Sequence, residues 1–375
     1  MADENVWTSR KAKLRAHLSN GGIDAAFISN PTHLYYFTGF LSEPHERFLA
    51  LYLDARTGEE TLFVPSLDAE AASRAGAGVP KRLVPLSDTD DAYAILKRET
   101  AAGGPVGALG VEKSFLTLDR AERLGEAFPG ARLADLTGFI DSLRVRKTEE
   151  EIARVAVAVE TIERVMEHAV KQAKIGMTEL ELTAELEYQM KRLGADKPSF
   201  DSIVLTGTRS ALPHGVPEAV PIARGDFLLI DIGVKMNGYC SDITRTFLVG
   251  EGTAEQERIY ETVLAANLAG IAAAERVGAP VAEVDRAARE TIAAAGYGEF
   301  FTHRVGHGFG MDIHEFPSLH GENRHPLEPG MLFTVEPGIY VPSIGGVRIE
   351  DDVYIREDGS VRVLTSFPKT LTRIG

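Results

Sequence analysis

Four carboxylates stand where apolar strand residues are expected. The stretch "LLIDIGVKMNGYCSDITRTFLV" holds two apolar runs around Asn237-Gly238, a dipeptide that favours a two-residue type I′ turn. With that turn, Asp231 faces Thr244 and Asp242 faces Gly233. The two aspartates share parity, so both side chains leave one face of the ribbon. A second stretch, "MLFTVEPGIYVPSIGGVRIEDDVYI", reads as a hairpin around Gly345-Gly346, with Glu336 interrupting one apolar run and Glu350 ending another. An odd connecting loop would place these two glutamates on one face and an even loop would separate them. Buried carboxylates are costly unless paired, protonated or bound to metal. Arg245 and Arg348 could partner some of the four acids, not all.

Between the hairpins lies "FTHRVGHGFGMDIHEFP", with His303, His307 and His314 and glycines at 306, 308 and 310. Alternating glycines allow close backbone approach. Four carboxylates and one imidazole suit two divalent cations, manganese or cobalt ahead of iron and zinc by ligand type. Two cations roughly 3.5–4 Å apart can share a water, deprotonate it and polarise a carbonyl.

These strands need a framework to hold them. A chain of 375 residues suggests two domains. In the first third, "DAAFISN", "RFLALYLD" and "ETLFVPS" read as strands, the last two as a hairpin around Arg56-Thr57-Gly58. "DAYAILKRETAA" and "LDRAERLGEAF" read as helices. This mixture indicates an α/β domain. Near residue 140 the character changes: Thr148 and the acids after it open a long helical pattern. We divide the chain into 1–140 and 141–375. The second part shows helices then a carboxylate-bearing hairpin, twice, as expected of two related halves. The net charge of -15 argues against nucleic acid. The N-terminal stretch lacks a signal-peptide core, and no run of about 18 apolar residues would span a membrane. The single Cys240 reads as a small buried strand residue and fits a cytoplasmic location.

"DIGVKMNGYCSDITRTF", "HRVGHGFGMDIHE", "TVEPGIY" and "GGVRIEDD" resemble the motifs of the pita-bread metallopeptidases. "SNPTHLYYFTGF" and the α/β character before residue 140 resemble the creatinase-like N-terminal domain that aminopeptidase P and prolidase carry and methionine aminopeptidases lack. The resemblance implies an α/β creatinase-like domain followed by an α+β pita-bread domain with pseudo-twofold halves. It implies a dinuclear site of Asp231, Asp242, His307, Glu336 and Glu350. It implies hydrolysis of an Xaa-Pro bond by a hydroxide that the two metals share, in a homodimer whose partner places its N-terminal domain near the active site. The loop "SEPHERF" is a candidate for that contact.

By the same resemblance, Glu336 relays a proton, His214 in "ALPHGVP" positions substrate, and His314 donates to the carbonyl or the tetrahedral intermediate. The bland alternatives are a solvated loop histidine for His214 and a core histidine for His314. His303 either lines the substrate pocket or supports His307. Arg348, two residues from Glu350, reads as a partner for a metal-bound carboxylate, or as an ordinary surface arginine. "GMDIHEFPS" and "GGVRIEDD" look closest to bacterial prolidases, which cleave dipeptides, with aminopeptidase P on longer peptides as the alternative. Some prolidases carry an arginine four residues after the histidine of the "HE" pair; here Ser318 stands there. Arg324 is the nearest substitute for binding the substrate carboxylate, or else a plain loop arginine. A metal-free creatinase-like hydrolase, or a binding module such as the histone-chaperone relatives, would not keep five ligands.

Overall fold

The computed structural model describes residues 3–375. Two compact units make up the chain, one ending at Leu143 and the other running from Arg144 to Gly375.

The first unit is built on a six-stranded sheet. Across the sheet the strands run Arg82–Leu86, Glu60–Pro65, Ala50–Asp54, Ala25–Ile28, Ala108–Val111 and Arg132–Asp135. Only Ala50–Asp54 runs against its neighbours, because a tight hairpin joins it to Glu60–Pro65. The helices Ala92–Thr100 and Leu118–Ala127 carry the crossovers into Ala108–Val111 and Arg132–Asp135. The central strands are apolar because both faces are covered: Phe27, Leu109, Val111 and Phe63 are buried together.

The second unit contains two halves of one plan. The helices Glu149–Gln172 and Glu179–Arg192 precede the first hairpin; Ala254–Ala274 and Ala282–Ala294 precede the second. Three of these helices start on a threonine capping box, at Thr148, Thr178 and Thr253. There the hydroxyl and the side chain of the third helical residue satisfy otherwise orphaned amide groups. Each helix pair packs its apolar stripe on its own hairpin. Ile162, Val165, Leu182 and Leu186 cover Ile230, Ile232 and Phe247, while Tyr260, Val263, Val284 and Ile292 cover Phe333, Val335 and Val353.

The hairpin registers decide the site. Phe227–Ile232 pairs with Ile243–Val249, with Asp231 opposite Thr244. Beyond a break, Met236 pairs with Tyr239 in the same register. The turn is Asn237-Gly238, at φ 49° and 81°, as a type I′ turn requires. Gly233 marks the break: a Cβ there would come within 2.2 Å of the Ser241 carbonyl. The second hairpin corrects our expectation of its turn. Val341 pairs with Gly345 and Tyr340 with Gly346. The reversal therefore lies at residues 342–344, just before the glycines, and the loop is odd. Val335 pairs with Asp351 in the same register, so Glu336 and Glu350 stand opposite each other at the break between the paired segments.

Candidate metal centre and its cavity

The first ladder breaks at Gly233 and Asp242, just past Asp231, the second at Glu336 and Glu350, and the four carboxylates line one cavity of about 610 Å³. Asp231, Asp242, His307, Glu336 and Glu350 all line it. Asp242, His307 and Glu350 are buried and offer ligand atoms within 4.8 Å of one another. His307 reaches this point because its strand, Gly306–Gly308, is pressed between two others. A Cβ at Gly306 would lie 2.0 Å from the Thr334 carbonyl, and one at Gly308 would lie 2.2 Å from that of Phe316. Only glycine admits the strand there.

The electrostatics of the cluster call for cations. Burial, then Glu350 and Asp231, push the Asp242 carboxyl well above its ordinary range. Burial, then Glu336 and Asp231, do the same to Glu350. Burial raises Glu336 to about 7 and lowers His307 to about 3. The neutral His307 ring sets its Nδ1 3.1 Å from the Gly308 carbonyl. A carbonyl only accepts, so Nδ1 carries the proton and the Nε2 lone pair faces Glu336 at 3.4 Å and Asp242 at 3.8 Å. Two acceptors and a lone pair converging with no donor between them fit a divalent cation. The buried Asp231 Oδ1, without a hydrogen-bond partner, fits the same reading.

Arginines fix the acids without neutralising the cluster. Arg348 Nη2 meets Asp231 Oδ2 at 2.5 Å, its Nε donates to Thr244 Oγ1, and its Nη1 donates to the Tyr340 hydroxyl at 2.8 Å. Thr244 in turn donates to Glu350 Oε2 at 2.6 Å. Arg245 turns away from the four acids: it binds Asp351 at 3.0 Å and donates to the Glu350 main-chain carbonyl.

The three other histidines line the same cavity. His314 stands edge-on to His307, with ring centroids 4.3 Å apart. Burial, then Arg304 and His214, hold it below its ordinary value. His214 sits in an exposed turn held by Gly215, where a Cβ would lie 2.6 Å from Leu205. His303 has both ring nitrogens engaged, Nδ1 with the Arg304 carbonyl at 2.7 Å and Nε2 with the Tyr340 hydroxyl at 2.8 Å. A chain of contacts thus runs from His303, which lines the cavity, through Tyr340 and Arg348 to Asp231.

Arg324 does not reach this cavity. It lines a separate one of about 500 Å³, with Arg286, Arg289 and Gly321, because the "GENRHP" loop packs beside the Ala282–Ala294 helix. Two arginines line the candidate metal cavity: Arg348, already paired with Asp231, and Arg304. Arg304 Nη1 donates to Ser318 Oγ at 3.0 Å, and this arginine forms no ion pair among the described residues. Arg304 occupies the space beside the residue that replaces the expected arginine. Its position next to His303 in "HRVGHG" was the only available signal, and an irregular loop gives such a residue no predictable direction. Tyr340 was missed as well, because a strand tyrosine reads as core.

The loop carrying His314 is held by a buried ion cluster. Glu315 meets Lys147 at 2.9 Å and also pairs with Arg144, which reaches Asp312 at 2.8 Å. Burial pushes Glu315 upward, but Arg144 and Lys147 outweigh it and hold the carboxyl at about 2. Glu315→Gln should lose about 3–5 kcal/mol in denaturant unfolding, since two buried cations lose their partner. The folded value is depressed. The stabilisation is therefore present above the ordinary 4.5 and fades as pH falls toward 2. An unfolding midpoint equal to that of the parent at pH 7 would refute this role.

Comparison with known proteins agrees with this geometry. Residues 153–357 match the model of metallopeptidase family M24, and residues 10–146 match the creatinase/prolidase N-terminal domain. A Bacillus subtilis (strain 168) protein named as a candidate dipeptidase is 39% identical over 365 residues, 97% of this chain and 99% of its own. The solved Xaa-Pro dipeptidase from Bacillus anthracis is 34% identical and superposes with a TM-score of 0.90, covering 98% of this chain and 100% of that one. The X-Pro aminopeptidase from Thermotoga maritima MSB8 is 33% identical, with a TM-score of 0.85 over 94% of this chain and 98% of its own.

Proposed function

We propose that this chain, which belongs to metallopeptidase family M24, hydrolyses the bond before proline in Xaa-Pro dipeptides. The observation that carries the reading is the His307 Nε2 lone pair converging with Glu336 and Asp242 at 3.4 and 3.8 Å in a buried cavity. Asp231, Asp242, His307, Glu336 and Glu350 would hold two divalent ions, manganese or cobalt ahead of iron and zinc by their oxygen-rich set. When bound, the ions acidify water and polarise the scissile carbonyl.

The chain's own residues supply the rest. Glu336 has the most exposed side chain of the Asp231, Asp242, His307 and Glu336 set, at 16%. It faces the open cavity and carries the proton from water to proline's leaving nitrogen. His314 makes no hydrogen bond among the described residues, so its ring is free to donate to the oxygen that gains charge. His214 positions the substrate from the rim. His303, Tyr340 and Arg348 hold Asp231 in place.

Two features favour a dipeptide. The matched Bacillus anthracis structure is named an Xaa-Pro dipeptidase, and Arg304 offers an unpaired guanidinium to a C-terminal carboxylate. The second reading, an aminopeptidase acting on longer Xaa-Pro peptides, is favoured by the Thermotoga maritima structure and by Ser318. Kinetics of metal-loaded enzyme on an Xaa-Pro dipeptide against an Xaa-Pro-Xaa tripeptide separate the two; preference for the tripeptide overturns the dipeptidase. Arg304→Ala should raise KM for the dipeptide about tenfold or more, the loss of one charged hydrogen bond, and change KM little for the C-terminally amidated substrate. Equal effects on both would remove Arg304 from carboxylate recognition.

The reading places a creatinase-like domain at residues 1–140 and the catalytic pita-bread domain at 141–375, in a cytoplasmic homodimer. The two compact units and the two family matches support the division. Among the described residues, no helix is long and apolar enough to cross a membrane.

A further inference from the structure

One acid in the cavity has no part in the chemistry above. Asp201 lines the cavity beside Phe200 and Ile203. It is exposed and forms no hydrogen bond or ion pair among the described residues. Ile203 pairs with Asp231, so cross-strand partners turn Ile203 and Asp231 to one face. Asp201 lies just before the strand of Ile203, and the Ser202 hydroxyl between them donates to Glu187 at 2.9 Å.

The segment before it is fixed. Ser199 N donates to the Gly233 carbonyl at 3.0 Å, and Ser199 Oγ to the Ser241 carbonyl at 3.1 Å. The Phe200 ring lies over Gly233, 2.8 Å from where a Cβ would stand, between the two aspartates of the first hairpin. Phe200 and Ile203 thus give the cavity an apolar wall, and the exposed Asp201 carboxylate lines the cavity beside them.

We infer that Asp201, with Phe200 and Ile203, forms the subsite for the residue before proline and selects a lysine or arginine side chain there. This rests on the Xaa-Pro reading. An apolar wall carrying an exposed acid matches an apolar stem ending in a cation, as lysine and arginine provide. The α-ammonium of a dipeptide is a poorer match, because it is held next to the scissile carbonyl and so by the acid cluster itself.

The test measures kcat/KM of manganese-loaded enzyme on Lys-Pro, Met-Pro and Glu-Pro. The parent should favour Lys-Pro over Glu-Pro, less so at high salt. Asp201→Asn should lower the Lys-Pro to Met-Pro ratio about threefold to fivefold. Asp201→Lys should invert the order of Lys-Pro and Glu-Pro, with a swing of about tenfold or more. Ratios unchanged in both variants overturn the subsite and leave the dipeptidase standing. Failure of the parent to cleave any Xaa-Pro dipeptide overturns both.

Discussion

Asp242→Asn should purify folded, lose at least one transition-metal ion per chain, and fall in kcat/KM by about 10³-fold or more. Asp242 stands with His307 and Glu350 around a point that all three can ligate. An amide keeps the shape but replaces an anionic oxygen with a weaker donor set. Losing several kcal/mol of charge stabilisation in the transition state corresponds to such a rate, at tenfold per ~1.4 kcal/mol. The same change should leave the metal-free protein at least as thermostable as its parent. Burial, Glu350 and Asp231 already disfavour the Asp242 charge, so removing it relieves repulsion in the apo state. Asp351→Asn supplies the contrast. Asp351 is buried against Arg245 at 3.0 Å and Lys369 at 2.8 Å, so its loss should cost stability and spare the metal. Elemental analysis and thermal unfolding of both variants read the two effects separately. Full metal content and full activity in Asp242→Asn would remove it from the ligand set.

The two hairpins differed in how far they could be read, for a physical reason. Asn237-Gly238 permits one turn, and the turn sets the register, so the facing of Asp231 and Asp242 followed from residue types alone. The second hairpin has no such dipeptide. Its reversal is "PSI" at residues 342–344, and Gly345 at φ 130° opens the returning strand. Glycines suggested a turn that proline and serine make. The pairing of helices with hairpins was visible because each helix carries its own apolar stripe and three of the four carry a threonine cap. Arg304 was not visible: its direction depends on Ser318 fourteen positions on, a contact set by tertiary packing. Nor was the Glu315 cluster, since an acid beside a histidine gives no hint that Arg144 and Lys147, from about 170 residues earlier, converge on it.

Replacing His314 with alanine should separate ligation from catalysis. The ring sits edge-on to His307 at 4.3 Å, and it forms no ion pair with a carboxylate among the described residues, whereas His307 faces Glu336 and Asp242. It makes no hydrogen bond among the described residues, although its loop is anchored by Glu315. A rigidly mounted donor with no ground-state partner is suited to an oxygen that becomes charged only during reaction. His314→Ala should therefore retain its metal ions and fold normally, while kcat falls about 10²–10³-fold, the usual cost of one such donor. KM should change far less, because the interaction is made mainly in the transition state. His314→Gln, which keeps an N–H donor, should recover part of kcat. Loss of metal from His314→Ala would make the ring a ligand or a support for His307. A rise in KM with kcat intact would make it a ground-state contact, with the oxygen stabilised by other groups.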